Sequence, residues 1–155
     1  MVALKAQIKE TFHTSLDVEK TRTHFADFEQ IKDCTRKAER FEQEDGQTMR
    51  FFLREQNHGT HKFRGEYSVH YEIVGGDLVW KPVGTGNLTN RGRARFRSDK
   101  GGTAIDFEQE ISLDYPIGRL AAKLVRPIVN RLSKASMRRY VLRMICNLEG
   151  RPFKG

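Results

Sequence analysis

Four polar side chains sit where a folded chain would hide them. Tyr67, Tyr71, Asn90 and Gln109 each share an alternating phase with apolar neighbours. Buried polar tips need partners. Phenols and amides facing inward would anchor the carbonyl or hydroxyl of a bound molecule, or bond one another. Glu55 shares the phase of Phe51 and Leu53, so it stands either at a strand's wet end or as an acid facing a pocket. The histidines are His13, His24, His58, His61 and His70; His13 and His70 fall in outward phases. His58-Gly-Thr-His61 suits a metal only weakly. No Ser/His/Asp arrangement, phosphate loop or paired-cysteine site is visible. These residues assign no catalytic group, metal or cofactor.

Short alternating segments must position them. Val2 to Thr14 alternates, with Leu4, Ala6, Ile8 and Phe12 in one phase, which predicts a strand with one wet face. Ser15 or Asp17 can cap a following helix, and Val18, Thr21, Phe25 and Phe28 keep helical spacing. That helix and a second short turn end near Asp33. Further strands are predicted over Thr35 to Glu44, Thr48 to Gln56, Lys62 to Val74 and Leu78 to Val83, with Asn57 to His61 as a looser loop.

The last hairpin is the most strongly patterned. Asn87 to Ser98 points Leu88, Asn90, Gly92, Ala94 and Phe96 one way and Arg91, Arg93, Arg95 and Arg97 the other. Thr103 to Tyr115 turns Ile105, Phe107, Gln109, Ile111 and Leu113 inward. Pairing Ser98 with Thr103 sets Arg95 opposite Asp106, Arg93 opposite Glu108 and Arg91 opposite Glu110. The arginine ladder therefore reads as a solvated face neutralised by its neighbour strand.

The tail carries the charge. From Ile117 to Gly155 there are ten Lys/Arg and one acid, so the formal +8 belongs to this stretch. Ile117, Leu120, Ala121, Leu124 and Ile128 form one stripe, with Arg119, Lys123 and Arg126 opposite. The stripe shifts beside Pro127, which predicts a short amphipathic helix, a break near Arg126-Pro127, and a long helix to about Glu149. Gly150 and Pro152 mark the stop. A helix apolar on one side and cationic on the other suits an interfacial segment on an anionic membrane. An ordinary packed surface helix has the same pattern.

Length and composition bound the rest. A chain of 155 residues with 31% charged and 37% hydrophobic residues is expected to make one soluble globular domain spanning 1–155. No apolar run approaches the roughly 20 residues that span a bilayer. MVALKAQIKE lacks the apolar region of a signal peptide, and Cys34 and Cys146 read as free thiols, so a cytoplasmic location is expected. The basic balance fits an acidic partner: anionic membrane, acidic protein or RNA. Inward aromatics are poor stacking platforms and no nucleic-acid module is evident, which leaves nucleic acid the weakest of these.

The element order is strand, two short helices, about six antiparallel strands and a long terminal helix. The fold class is α+β: a curved antiparallel sheet of six to seven strands wrapped around the C-terminal helix. Helix and sheet closing at one end leave an apolar pocket at the other. Its expected wall takes Phe51 and Leu53 from one strand, Tyr67, Val69 and Tyr71 from the next, and Trp80 from a third. Asn90 and Phe96, then Phe107 and Gln109, come from the last hairpin. Leu132 and Tyr140 come from the helix. The same residues would also serve as a plain core.

Trp80, Gly92 with Phe96, Gly102-Thr103, Tyr115-Pro116 and Leu148-Glu149-Gly150 resemble, in order and setting, the START-like and birch-pollen-allergen superfamily. The likeness is nearest to its polyketide cyclase/dehydrase and lipid-transport family, although the usual glycine-rich segment after the proline is replaced by Ile117-Gly118-Arg119. The resemblance implies a helix-grip fold and a cavity for a hydrophobic or amphipathic small molecule: a lipid, a quinone or a polyketide-like compound. It also implies a cyclase or dehydratase as the alternative, using the same pocket. A third reading is an interaction module whose basic tail meets an acidic protein or RNA. Arg119, Lys123 and Arg126 are the candidate contacts to a membrane or partner.

Overall fold

The computed structural model describes residues 1–155. Strand β1 (Val2–Thr14) leads to helices α1 (Val18–Phe25) and α2 (Phe28–Cys34). Asp17 caps α1 by accepting from the Lys20 amide, and Asp27 caps α2 by accepting from the Glu29 amide, so carboxylates settle both helix starts. Then come β2 (Ala38–Gln43), β3 (Thr48–Leu53), β4 (Gln56–His58), β5 (His61–Phe63), β6 (Glu66–Val74), β7 (Asp77–Val83), β8 (Leu88–Asp99), β9 (Gly102–Tyr115) and α3 (Arg119–Glu149).

Seven strands form one antiparallel sheet in the order β1-β9-β8-β7-β6-β3-β2, and β4 and β5 make a separate small hairpin. The expected strand over 62–74 is therefore broken. Gly65 lies between β5 and β6, and a Cβ there would sit 3.0 Å from Leu53 and 3.1 Å from Leu88. A side chain there would press on the two leucine methyl groups, so the chain passes close to its neighbours at that point. The expected loop at 57–61 is mostly that small hairpin, with His58 opposite His61.

The register of β8 and β9 is as the alternation required: Ser98 faces Thr103, Arg95 faces Asp106, Arg93 faces Glu108 and Arg91 faces Glu110. The ion pairs do not follow these facing positions. Arg97 reaches diagonally to Asp106 at 2.8 Å, while Arg93 and Arg95 both turn to Asp77 at 3.6 Å. Arginine is long enough to choose among carboxylates, so facing positions set register without setting partners.

The core lies between the sheet's inner face and α1, α2 and α3. Leu4, Phe25, Ile31, Met49, Phe107 and Met144 are among its most buried members. Two expectations about the tail fail. First, α3 runs unbroken past Pro127. Proline removes one helical hydrogen bond, here the one to the Lys123 carbonyl, at a cost of about 3 kcal/mol or more. Lys123 is exposed, so water can meet that carbonyl, while buried Val125 and Val129 pin the helix on either side of the ring. Second, the buried stripe is Ala122, Val125 and Val129, and Leu120 and Leu124 are 78% and 72% exposed. Small side chains let α3 approach β1, where the Asn130 amide donates to the Lys5 carbonyl and Arg138 pairs with Glu10 at 3.2 Å. The larger leucines are turned out. At the far end Gly150 adopts φ 69°, and the amides of Gly150 and Arg151 donate to the carbonyls of Asn147 and Cys146.

Candidate functional site

Between sheet and α3 lies a cavity of about 180 Å³. Its wall on the sheet carries a polar triad. Trp80 and Gln109 both donate to the Asn90 side-chain oxygen, at 3.0 Å and 2.9 Å. The geometry follows from register: Trp80 is the cross-strand partner of Gly92, and Gly92 is that of Gln109. The indole therefore lies over a residue with no side chain and reaches Asn90 beyond it. Gln109 keeps a buried oxygen, Oε1, with no partner. An unpaired acceptor of this kind in a cavity wall is a place for a donor from a guest molecule or an ordered water.

Aromatic rings make up much of the apolar wall. Tyr67 stacks on Phe51 with centroids 5.0 Å apart, and Trp80 lies 5.4 Å from Phe107 and 6.4 Å from Tyr71. Leu53 and Tyr140 complete the set of expected residues that meet at the cavity. The hydroxyls of Tyr71 and Tyr140 bond no protein group. Burial pushes both phenols well up, and each is raised further by nearby tyrosine. Burial also raises the Tyr67 phenol, with Asn90 pulling it partly back. All three are thus neutral donors at physiological pH and poor bases.

Three expected residues do not reach the cavity. Val69 is fully buried in the sheet layer, opposite Met49 and Pro82, and is shorter than the tyrosines on either side. Phe96 packs edge-on against Phe25 at 5.6 Å, beneath α1 and away from the opening. Leu132 is half-buried on the flank of α3, because the helix instead turns Ser133, Ser136, Met137 and Tyr140 inward. Glu55 is exposed and pairs with Lys62 at 3.8 Å, so it stands at the wet end of its strand.

Lining residues that spacing did not reveal include His58, Lys37, Arg139 and Arg143; Phe63, in phase with Tyr67 and Tyr71 in the sequence, lines the cavity with them. His58 is buried and shares a 2.5 Å hydrogen bond with the Tyr115 hydroxyl. Burial, and then Lys37, hold its pKa down, so the ring is neutral near pH 7. His58 lies on the expected loop, where no alternation could mark it as inward. No cluster of His, Cys, Asp and Glu is arranged to hold a metal. The lining contains no carboxylate; its acid–base groups are the phenols, the Cys34 thiol, the Lys37 ammonium and an imidazole already tied to Tyr115.

The opposite exposure holds at the start of α3. Arg119, Lys123 and Arg126 are exposed, and Leu120 and Leu124 project among them rather than on the buried side. This end of the helix packs on the β4–β5 hairpin, where Ile128 comes within 3.2 Å of the place a Cβ would occupy on Gly59. No helix is long and apolar enough to cross a membrane.

No family model and no curated protein matches the sequence. Solved structures do resemble the fold. An aromatase/cyclase, Zhui, from Streptomyces sp. R1128 superposes with a TM-score of 0.67 at 9% identity, covering 94% of each chain. A START superfamily protein from Mycobacterium smegmatis gives 0.66 at 12%, covering 93% of this chain and 97% of that one. A norcoclaurine synthase point mutant from Thalictrum flavum, in complex with a transition-state analogue, gives 0.61 at 12%, covering 97% and 98%. These likenesses show a START-like helix-grip fold.

Proposed function

We propose that this START-like helix-grip fold binds a small hydrophobic or amphipathic molecule between its sheet and α3. One observation carries the reading: an aromatic cavity whose wall holds an unpartnered acceptor, Gln109 Oε1. A core that merely filled space would not leave the void. The cavity, at about 180 Å³, is a little larger than the roughly 150 Å³ that accommodates benzene. Its enclosed part therefore suits a ring or a short branched chain, with any longer portion of a guest lying toward the opening. Binding is favoured over turnover because the lining offers no carboxylate and its imidazole is engaged. The structural neighbours named as aromatase/cyclase and norcoclaurine synthase keep small-molecule chemistry in view, but fold alone does not transmit a reaction.

Native mass spectrometry of the purified chain, followed by organic extraction and identification of the extract, tests this. The expected result is a bound small molecule, or a stabilising melt shift with apolar ring compounds. Protein that is empty and shifts with none of them would end the proposal.

A finer part of the reading concerns loading. Leu120 and Leu124, exposed among Arg119, Lys123 and Arg126, fit the interface of an anionic bilayer, where leucine enters the acyl boundary and cations meet head groups. Each cation near such a surface contributes about 1 kcal/mol. Leu120→Asp with Leu124→Asp is expected to lower flotation with phosphatidylserine-containing vesicles by tenfold or more, corresponding to about 1.4 kcal/mol or more. Unchanged flotation in that variant, or equal flotation with neutral vesicles, would remove α3 from the membrane.

A further inference from the structure

Five cations line the cavity, and no acid lines it with them. Arg36 and Lys37 come from the segment between α2 and β2, Arg54 follows β3, and Arg139 and Arg143 come from α3. Of the acids nearby, Asp33 pairs with Arg36 alone among the five, at 4.0 Å, while Glu39 is engaged by Arg64 at 2.6 Å and Glu55 by Lys62 at 3.8 Å. Lys37, Arg54, Arg139 and Arg143 have no ion-pair partner. Arg54 donates to the Arg36 carbonyl, and Arg143 lies 4.8 Å from the Phe153 ring centroid.

These cations repel one another. Burial and then Arg139 push the Lys37 ammonium down; burial and then Arg36 and Arg139 do the same to Arg143, against weaker opposition from Cys34 and Asp33. Lysines and arginines scattered on a surface need no explanation. Lys37, Arg139 and Arg143 differ because they are half-buried and line an apolar cavity. Cations gathered in a partly dry place without a counter-charge are destabilising until an anion joins them. Guanidinium groups present paired donors that match carboxylate, phosphate and sulfonate oxygens.

Resting on the binding reading above, we infer that the bound molecule is an anionic amphiphile, its acidic group held at this rim by Lys37, Arg139 and Arg143 and its apolar body inside the cavity. Placement in the fold makes the two halves inseparable. The tyrosines, Trp80 and Gln109 offer the interior nothing with a full charge, while the rim offers only positive charge. A neutral guest would leave the rim unpaired, and a free inorganic anion would leave the cavity empty.

Two fluorescent probes separate the halves. 1-Anilinonaphthalene-8-sulfonate and N-phenyl-1-naphthylamine share one aromatic body, with and without a sulfonate. Both are titrated into the full chain at low and high salt, with competition between them establishing a common site. The sulfonate is expected to bind about tenfold tighter at low salt, equivalent to about 1.4 kcal/mol, and to lose most of that advantage at high salt. In the variant Lys37→Gln, Arg139→Gln, Arg143→Gln the advantage should fall below about threefold, or roughly 0.65 kcal/mol, while the neutral probe binds as before. If that variant melts early, single Lys37→Gln and Arg139→Gln substitutions are read the same way, each with a partial loss. Equal affinity for the two probes overturns the anionic assignment and leaves the binding reading standing. A sulfonate preference that survives the substitutions overturns the rim. Failure of both probes to enter overturns the rim and the cavity together.

Discussion

Gly92→Ala is expected to destabilise the fold by roughly 4 kcal/mol, read as a lower urea midpoint at unchanged slope. A Cβ at this position would lie 2.3 Å from the Glu108 carbonyl oxygen and 2.3 Å from the Trp80 indole. The carbonyl belongs to the paired strand and cannot retreat without breaking the ladder. The indole can retreat only by giving up its hydrogen bond to Asn90. Overpacking of this kind costs about 1–3 kcal/mol, and an orphaned buried donor adds about 1–3 more. Against a typical total of about 5–15 kcal/mol, that is a large share. Gly46→Ala is the control: a Cβ there meets nothing within 4 Å, and a change within about 0.5 kcal/mol is expected. A loss below about 1 kcal/mol at Gly92 would mean that the indole swings aside freely and that its perch over the glycine is not what shapes the cavity wall.

Asn90→Leu carries the second large effect, about 3 kcal/mol. Asn90 is the shared acceptor for Trp80 and Gln109, and leucine has a similar bulk but accepts nothing. Two buried donors would lose their partner at once, beside a Gln109 oxygen that already has none. The cost belongs to stranded groups, so it should shrink when a stranded group is also removed. Asn90→Leu with Gln109→Met is expected to be less destabilised than Asn90→Leu alone, by about 1 kcal/mol, a coupling that thermal and urea melts of the single and double variants resolve. Simple additivity would show that the triad is incidental. Ligand binding supplies an independent readout, since the double variant keeps an apolar cavity but loses the one acceptor that marks its inner end.

Much of the fold was legible in the residues. Alternation with period two marks β1, β8 and β9 without ambiguity, and a turn at Asp99 to Gly102 leaves one register that puts every arginine outward. The cavity wall was legible to the extent that phase determines it. Phe51, Leu53, Tyr67, Tyr71, Trp80, Asn90, Phe107 and Gln109 all come from inward phases of strands. Phase says which side a residue is on but not how far along the strand the void lies. That is why Val69 and Phe96, equally inward, belong to solid packing. His58 escaped notice because a three-residue strand is too short to show a period.

By itself the sequence determined the strand faces, the β8–β9 register, the helix stop at Gly150 and the basic character of the tail, because each depends on neighbours within a few residues or on a single hairpin. Only the tertiary structure decided the rotation of α3. Its first turns carry two apolar stripes, and periodicity cannot rank them. Close approach to β1 selects the small one, Ala122, Val125 and Val129, and leaves Leu120 and Leu124 outside among the cations. The same rotation brings Arg139 and Arg143 to the rim that Lys37 approaches from a distant part of the chain. A charge cluster assembled from separate elements has no local pattern, so it exists only once α3 has docked on the sheet.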